Sequence, residues 1–398
     1  MKTLDFAQEV RKDFPILKQK IHGKPLIYLD SAATTQKPQC VIDALTHFYA
    51  HEYGTVHRAV YHLAAKATEK YNTAREKIAR FLNAKSSDEI VFTRGTTDGI
   101  NLIAHQYRGK EVILSEMEHH SNIVPWQLVG AKIKYIPIND HAELDLEAFE
   151  KLLTPNTALV SIAHIANSTG TINPIGTIIQ MAHAHGAKVL VDAAQSTAHF
   201  PLDVQALDVD YLALSGHKAF GPTGIGVLYG KYDLLDMLSP LQGGGDMIET
   251  VTLEKTAFAK PPLRFEAGTP PIAEAIALGA AIDYIESLGV NTIRHWEHEL
   301  LTYATERLLT IEGLRIIGTA KEKSSIIAFV IEGIHHLDLG TFLDLEGIAI
   351  RTGHHCAQPL LSRFGVAGTC RVSFAPFNVF EEVDQLVVAL EKALMVLR

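Results

Sequence analysis

Apolar residues recur along this chain in two registers. Between about residues 89 and 230 they form short consecutive runs: EIVFT (89–93), EVILSE (111–116), KIKYIPI (132–138), ALVSIAH (158–164), KVLVDAA (188–194), YLALSG (211–216) and GIGVLYG (224–230). Runs rich in Val, Ile and Leu and separated by helical stretches predict strands buried on both faces of a mainly parallel α/β sheet. Ahead of them, segment 59–83 places apolar residues three and four apart and is stopped by Asn-Ala-Lys-Ser-Ser, which predicts a long amphipathic helix covering the sheet. Behind them, 270–289 and 290–313 read as two helices. A strand at 326–333, a helix at 337–347, the AIRTG and RVSFA segments and a last helix near 380–397 follow, together an α+β unit distinct from the first. The glycines at 243–245 and the prolines at 261–262 mark loops between the two, and no repeat of fixed period occurs.

Composition narrows the possible functions. The chain has 398 residues, enough for two domains, with Lys+Arg 36 against Asp+Glu 45 and a net charge of −9. That balance excludes the basic surface expected of a nucleic-acid or anionic-membrane binder. Its apolar stretches carry charge or fall short of the roughly 20 residues that cross a bilayer. MKTLDFAQEVRKDF at the N-terminus lacks a signal-peptide core, so a cytoplasmic location is expected. The three cysteines, Cys40, Cys356 and Cys370, are odd in number and widely spaced, which fits neither a disulfide framework nor a CxxC metal site.

The chemistry concentrates in a few segments. In VLVDAAQS (189–196), Asp192 ends a buried strand, at the edge where α/β sheets collect ligands, and Gln195 follows in the next turn. Lys218 comes 26 residues after Asp192, in LSGHKAFGPTGIG (214–226), flanked by Ser215, His217 and glycines. A carboxylate able to hold a pyridinium nitrogen and an amine able to form a Schiff base are two requirements of pyridoxal phosphate chemistry. The plainer alternative is a helix-capping Asp and a solvated Lys. RGTTDGIN (94–101) follows a strand and opens a helix, so Thr96, Thr97 and nearby backbone N–H groups suit a phosphate, or form an ordinary cap. EMEHHSN (116–122) brings His119, which could stack on a planar cofactor and carry protons, to the same edge. In RTGHHCAQP (351–359), Cys356 follows two histidines and an Arg, neighbours that favour a reactive thiolate. A buried apolar Cys or a metal site are the alternatives there. Arg371 could hold a carboxylate bidentately, and Cys40 and Cys370 read as structural.

Taken in order, YLDSAATTQKP (28–38), VHRAVYHLA (56–64), TRGTTDGIN, EMEHHSNIVPW, VDAAQ, SGHKAFGPTGIG, RFEAGTPP (264–271) and RTGHHCAQP resemble the SufS/CsdA-type group II cysteine desulfurases, within the class V aminotransferase-like family of fold-type I pyridoxal phosphate enzymes. The resemblance is nearly full length. It implies a large pyridoxal phosphate-binding domain over 21–285 and a small α+β domain over 286–398, with segment 1–20, that carries the cysteine loop. It implies Lys218 as the Schiff-base lysine, Asp192 on the pyridinium nitrogen, Gln195 on the phenolic oxygen and His119 on the ring. Thr97, Ser215 and His217 would bind phosphate, and Thr269 would reach the neighbouring subunit's phosphate across a homodimer interface. Asn167 and Arg371, with Arg351 nearby, would orient the substrate carboxylate, and His57 and Arg58 would stand at the site entrance.

The implied reaction takes sulfur from L-cysteine to Cys356 as a persulfide, releases L-alanine and supplies iron–sulfur cluster assembly through a small SufE- or SufU-like acceptor protein. L-Selenocysteine is a second candidate substrate. A selenocysteine lyase or a kynureninase-like lyase would share the Asp–Lys framework, and a scaffold without cofactor would need none of these groups. Two positions depart from the family's usual residues, Asp98 in place of Glu and Pro271 in place of Asn.

Overall fold

The computed structural model describes residues 3–57 and 59–398. All seven predicted strands form one sheet: β1 (Ile90–Thr93), β2 (Glu111–Ser115), β3 (Lys132–Ile136), β4 (Thr157–Ala163), β5 (Lys188–Asp192), β6 (Tyr211–Ser215) and β7 (Gly226–Gly230). Their spatial order is β1-β7-β6-β5-β4-β2-β3. The pairings among β2 to β6 are all parallel, and β7 lies antiparallel between β6 and β1. The carboxyl ends of β2, β4, β5 and β6 therefore share one edge.

Alternate residues of the inner strands enter different cores, which is why their runs read as continuously apolar; β3 departs from the expectation of burial on both faces, for at the sheet edge only Ile136 of its five residues is buried. Val189, Val191, Leu212, Leu214 and Ile113 face one core with α1 (His62–Phe81), and Leu190, Tyr211, Ala213, Val112 and Leu114 face the other with α2 (Thr96–Gln106). α3 (Ile175–Ala184) and α4 (Ile272–Leu288) complete the first face through Ile178, Ile179, Ala275 and Leu278. The segment predicted helical over 59–83 is α1, trimmed at both ends.

A second sheet has the order β8 (Leu314–Ile317), β9 (Ile326–Ile331), β11 (Thr369–Ser373), β10 (Arg351–Gly353), antiparallel throughout. It packs with α5 (Val290–Leu308), α6 (His336–Leu345) and α7 (Phe380–Leu397) around Trp296, Leu339, Leu343, Val383 and Phe329. Two elements correct the sequence reading. The helix expected to run to 313 ends at Leu308, and the residues after it turn into β8. The loop region between 243 and 262 contains a hairpin, Ile248–Val251 with Thr256–Phe258.

A buried ion pair ties α1 to the loop before α4. Arg75 on α1 meets both carboxylate oxygens of Glu266 at 2.7 and 2.8 Å, while the Phe92 N–H donates to the same carboxylate at 2.7 Å. Every oxygen is thus met, which is what allows two charges to stay out of water. Close backbone approach fixes another junction. A Cβ on Gly226 would overlap Cα of Gly95, so β7 can lie beside the turn that opens α2 only with glycine at 226. Gly226→Ala is expected to cost about 1–3 kcal/mol through overpacking. A lowered urea midpoint with an unchanged slope would show it, and an unaltered midpoint would mean the turn yields freely.

Candidate active site

Four strand ends and one loop of the second sheet converge on a cavity of about 470 Å³. Its lining includes Thr97, His119, Asn167, Asp192, Gln195, Ser215, His217, Lys218, Arg351, Cys356 and Arg371. Asp192 is the last residue of β5 and Ser215 the last of β6, while Lys218 closes the single 3-10 turn that follows β6. Thr97 lies in the first turn of α2, His119 in the loop after β2, and Asn167 in the loop after β4. Arg351 and Arg371 come from paired positions on β10 and β11, and Cys356 from the loop after β10.

The charges inside are held out of water. Burial raises the Asp192 carboxyl, opposed by the Ala194 N–H that its Oδ1 accepts at 2.9 Å and by the Lys218 ammonium. Burial pushes the Lys218 amine down to about 8, against the favourable charge of Asp192; the Arg371 guanidinium lowers it further, and the Cys356 sulfur lies within Coulombic reach. Burial, with Lys218 and other cations nearby, takes His119 down to about 3, so its ring is neutral. Its Nδ1 accepts the Ser121 N–H at 3.0 Å, which leaves the proton on Nε2. Gln195 donates through Nε2 to the Ala32 carbonyl at 2.7 Å.

One end of the cavity suits a phosphate. The N–H groups of the first turn of α2, the Ser215 hydroxyl, which meets Thr96 N and Oγ1 at 2.9 and 2.8 Å, the Thr97 hydroxyl and the His217 ring gather there. A Cβ at Gly95, whose φ is +150°, would press within 3.3 Å of the Ser215 hydroxyl. The other end suits a carboxylate. Arg371 is buried and gives one guanidinium nitrogen to the Asn167 carbonyl at 2.8 Å and another to Asp30 at 3.0 Å. Its Nε, the Asn167 Oδ1 and the His355 Nδ1 have no hydrogen-bond partner among the described residues, although all three are buried. Buried polar atoms left without partners in a cavity call for a ligand that meets them.

Cys356 sits in a tightly held loop. His355 and Cys356 have φ of +51° and +54°; the carbonyl of Cys356 accepts from His120 N at 2.7 Å, and that of His355 from Asn167 Nδ2 at 2.7 Å. The His355 Nε2 lies 2.7 Å from Thr369 Oγ1.

Other expected site residues lie elsewhere. Thr269 is exposed in the loop before α4, outside this cavity. The ring of His57 packs edge-on to Tyr71, with centroids 5.7 Å apart, and does not line it. Arg58 lies outside the described residues. Asp98, within the first turn of α2, pairs with Arg94 at 3.1 Å and accepts that residue's N–H, while Pro271 caps α4. Cys370 is buried in the second core with its thiol pushed up by burial to about 12, but Cys40 is exposed, so a structural role for Cys40 is corrected. The sequence reading missed Asp30, the carboxylate partner of Arg371, and Glu118, a fully buried carboxyl raised by burial to about 7 and hydrogen-bonded by Asn122 and by Ala163 N. Both were within blocks already singled out; only folding shows what they face.

A sheet with catalytic groups at its carboxyl edge, a phosphate-type helix start and a buried Lys–Asp pair define an α/β enzyme of the aminotransferase type. The sequence matches the aminotransferase class-V family over residues 27–386, and the chain belongs to that family. A cysteine desulfurase of Synechococcus elongatus is 50% identical over 394 residues, covering 96% of this chain; the chain spans 63% of that relative's length. One from Shigella sonnei is 49% identical over 397 residues, with 97% and 98% of the two chains covered. The crystal structure of the Escherichia coli cysteine desulfurase CsdA, in an S-sulfonic acid form, superposes with a TM-score of 0.91 at 42% identity, covering 98% of this chain and 99% of the other.

With the cavity empty of ligand, the Lys218 amine should titrate near pH 8 rather than at its usual 10.5. Its modification by a small amine-directed reagent should rise through that pH, since only the neutral amine reacts. Asp192→Asn, which removes the strongest of the charges that favour the ammonium, should move the midpoint lower still. A midpoint near 10 in either protein would mean that the amine is solvated.

Proposed function

We propose that this protein is a cysteine desulfurase dependent on pyridoxal 5'-phosphate, taking sulfur from L-cysteine onto Cys356 and releasing L-alanine. One observation carries the reading: Lys218, Asp192 and Cys356, distant in sequence and chemically dissimilar, line the same cavity. A lyase or aminotransferase of this fold has no use for a thiol there. The relatives' names point the same way.

The residues fit the cofactor. Thr97, Ser215, His217 and the start of α2 would hold its phosphate, Asp192 its ring nitrogen, Gln195 its phenolic oxygen, and His119 its ring face. Bound there, pyridoxal phosphate supplies an electron sink for the bond-breaking at Cα of the substrate and a carbonyl for Lys218 to anchor. Arg371 and Asn167, with Arg351 at the rim, take the substrate carboxylate and so aim the Cα hydrogen at Lys218. The lowered basicity of Lys218 leaves about a tenth as free amine at pH 7, far more than an ordinary lysine, able to accept that proton at Nζ. His119, neutral and protonated on Nε2, stays uncharged beside the ring. Cys356 then attacks the substrate sulfur: an S–S bond forms, the Cβ–S bond breaks, and Cβ is protonated to give alanine. The persulfide left on Cys356 conserves the atom count, and no external oxidant is required.

Beyond one chain, the reading extends to a homodimer in which Thr269, exposed here, meets the neighbouring subunit's site, with His57 and Arg58 near its entrance. It extends also to a small SufE- or SufU-like acceptor, to iron–sulfur cluster assembly as the use of the sulfur, and to a cytoplasmic location. Among the described residues no helix is long and apolar enough to cross a membrane.

Incubation with L-cysteine should add one sulfur to the peptide containing Cys356, read by mass spectrometry. Cys356→Ser should retain the yellow cofactor band and lose that adduct. Sustained sulfide release by Cys356→Ser in the presence of reductant would overturn the reading. Arg371→Lys removes the guanidinium N–H left free for the substrate carboxylate and should raise KM for L-cysteine by about 10–100-fold, the worth of one charge-assisted hydrogen bond. An unaltered KM would place the substrate carboxylate elsewhere.

A further inference from the structure

Against the backbone of His217, a lining residue, and outside the lining itself, stands a cation that the reaction does not use. Lys37, in the turn before the helix Gln39–His47, is partly buried and donates from Nζ to the carbonyls of Thr35 at 2.6 Å and of His217 at 2.9 Å. Among the described residues no carboxylate lies within ion-pair distance of it. The buried Arg75 and Arg371 are each matched by an acid, Glu266 and Asp30. A cation withdrawn from water without a counter-charge is costly to keep. Burial alone accordingly pushes the Lys37 amine down to about 7. His217, whose ring lines the cavity, is lowered to about 4 by burial first, then by the Lys218 charge and last by that of Lys37. The His217 carbonyl also accepts from Thr34 Oγ1, Thr35 Oγ1 and Thr35 N at 3.1, 3.1 and 3.0 Å. Four donors on one carbonyl fix the peptide that leads into Lys218.

We propose that Lys37 is a positioning and charge-balancing residue for the cofactor's phosphate: its ammonium, anchored on the His217 carbonyl, supplies from behind the cradle the positive charge that a bound phosphate dianion neutralises. The inference rests on the cavity being a pyridoxal phosphate site. It assigns Lys37 to the phosphate and not to the ring or the substrate, so its effect must vanish for a cofactor analogue without phosphate.

The test uses the full chain stripped of cofactor, titrated with pyridoxal 5'-phosphate and, separately, with pyridoxal, following the Schiff-base absorbance. Lys37→Gln should weaken the phosphate ester's affinity by about tenfold or more, as ion–ion attraction in a partly buried site predicts, and leave that of pyridoxal nearly unchanged. Lys37→Arg should restore most of the loss. Equal weakening of both ligands would reduce Lys37 to a prop for the Lys218 turn and overturn the proposal, as would no weakening of either. Failure of the unsubstituted protein to bind either ligand would overturn the cavity reading itself, and this proposal with it. Should Lys37→Gln not fold, the unsubstituted chain answers alone. In protein made with 13Cε-labelled lysine, the Lys37 signal, assigned by its absence in Lys37→Arg, should move on adding pyridoxal 5'-phosphate and stay with pyridoxal; a signal indifferent to the phosphate ester rejects the assignment.

Discussion

An amine and a carboxylate held out of water at the carboxyl edge of a parallel sheet set the terms for everything around them. Asp192 sits at the end of β5 and Lys218 one short 3-10 turn past the end of β6, neighbouring strands, so the distance between their backbones is set by sheet geometry and that single turn. Each would be expensive to bury alone, and each lessens the penalty of the other. The rest of the cavity accommodates this pair. His119 is kept neutral, Arg371 is paired with Asp30, and the helix start and hydroxyls lie at a separate end.

Two sheets must meet for the site to exist. The seven-stranded sheet brings the amine, the carboxylate and the phosphate-type cradle, whereas the four-stranded sheet brings the guanidinium and the thiol. Asn167 joins them: its side chain holds the His355 carbonyl and its own carbonyl holds Arg371. Any displacement of the second sheet is therefore felt by the carboxylate end and the sulfur together.

The sequence was most transparent where burial was most complete. Strands covered on both faces are apolar at consecutive positions, and all seven strands could be located to within a few residues, the partly exposed edge strand β3 among them. β8 escaped because LRII is a short edge strand directly after a helix with the same residue types, and the 248–258 hairpin because its residues are largely exposed and carry no core pattern. The groups of the cavity were visible as short motifs at strand ends. Asp30 was not, since a carboxylate's partner can lie hundreds of positions away and the Asp30–Arg371 pair spans 341; Glu118 was not, since its near neighbours in sequence do not reveal that it is fully buried. Cys40 was misjudged because its apolar neighbours in sequence do not cover it in space.

The loop bearing Cys356 leaves little room for travel. Its carbonyl and that of His355 are both hydrogen-bonded to the opposing sheet's loops, and two consecutive residues occupy left-handed backbone conformations that a swinging arm would have to abandon. Under the proposed reading, a sulfur atom held there would be parked, not carried. An acceptor of that sulfur would then have to bring its own nucleophile to a half-buried Cys356, so the shape of the mouth would sort protein recipients by what they can insert.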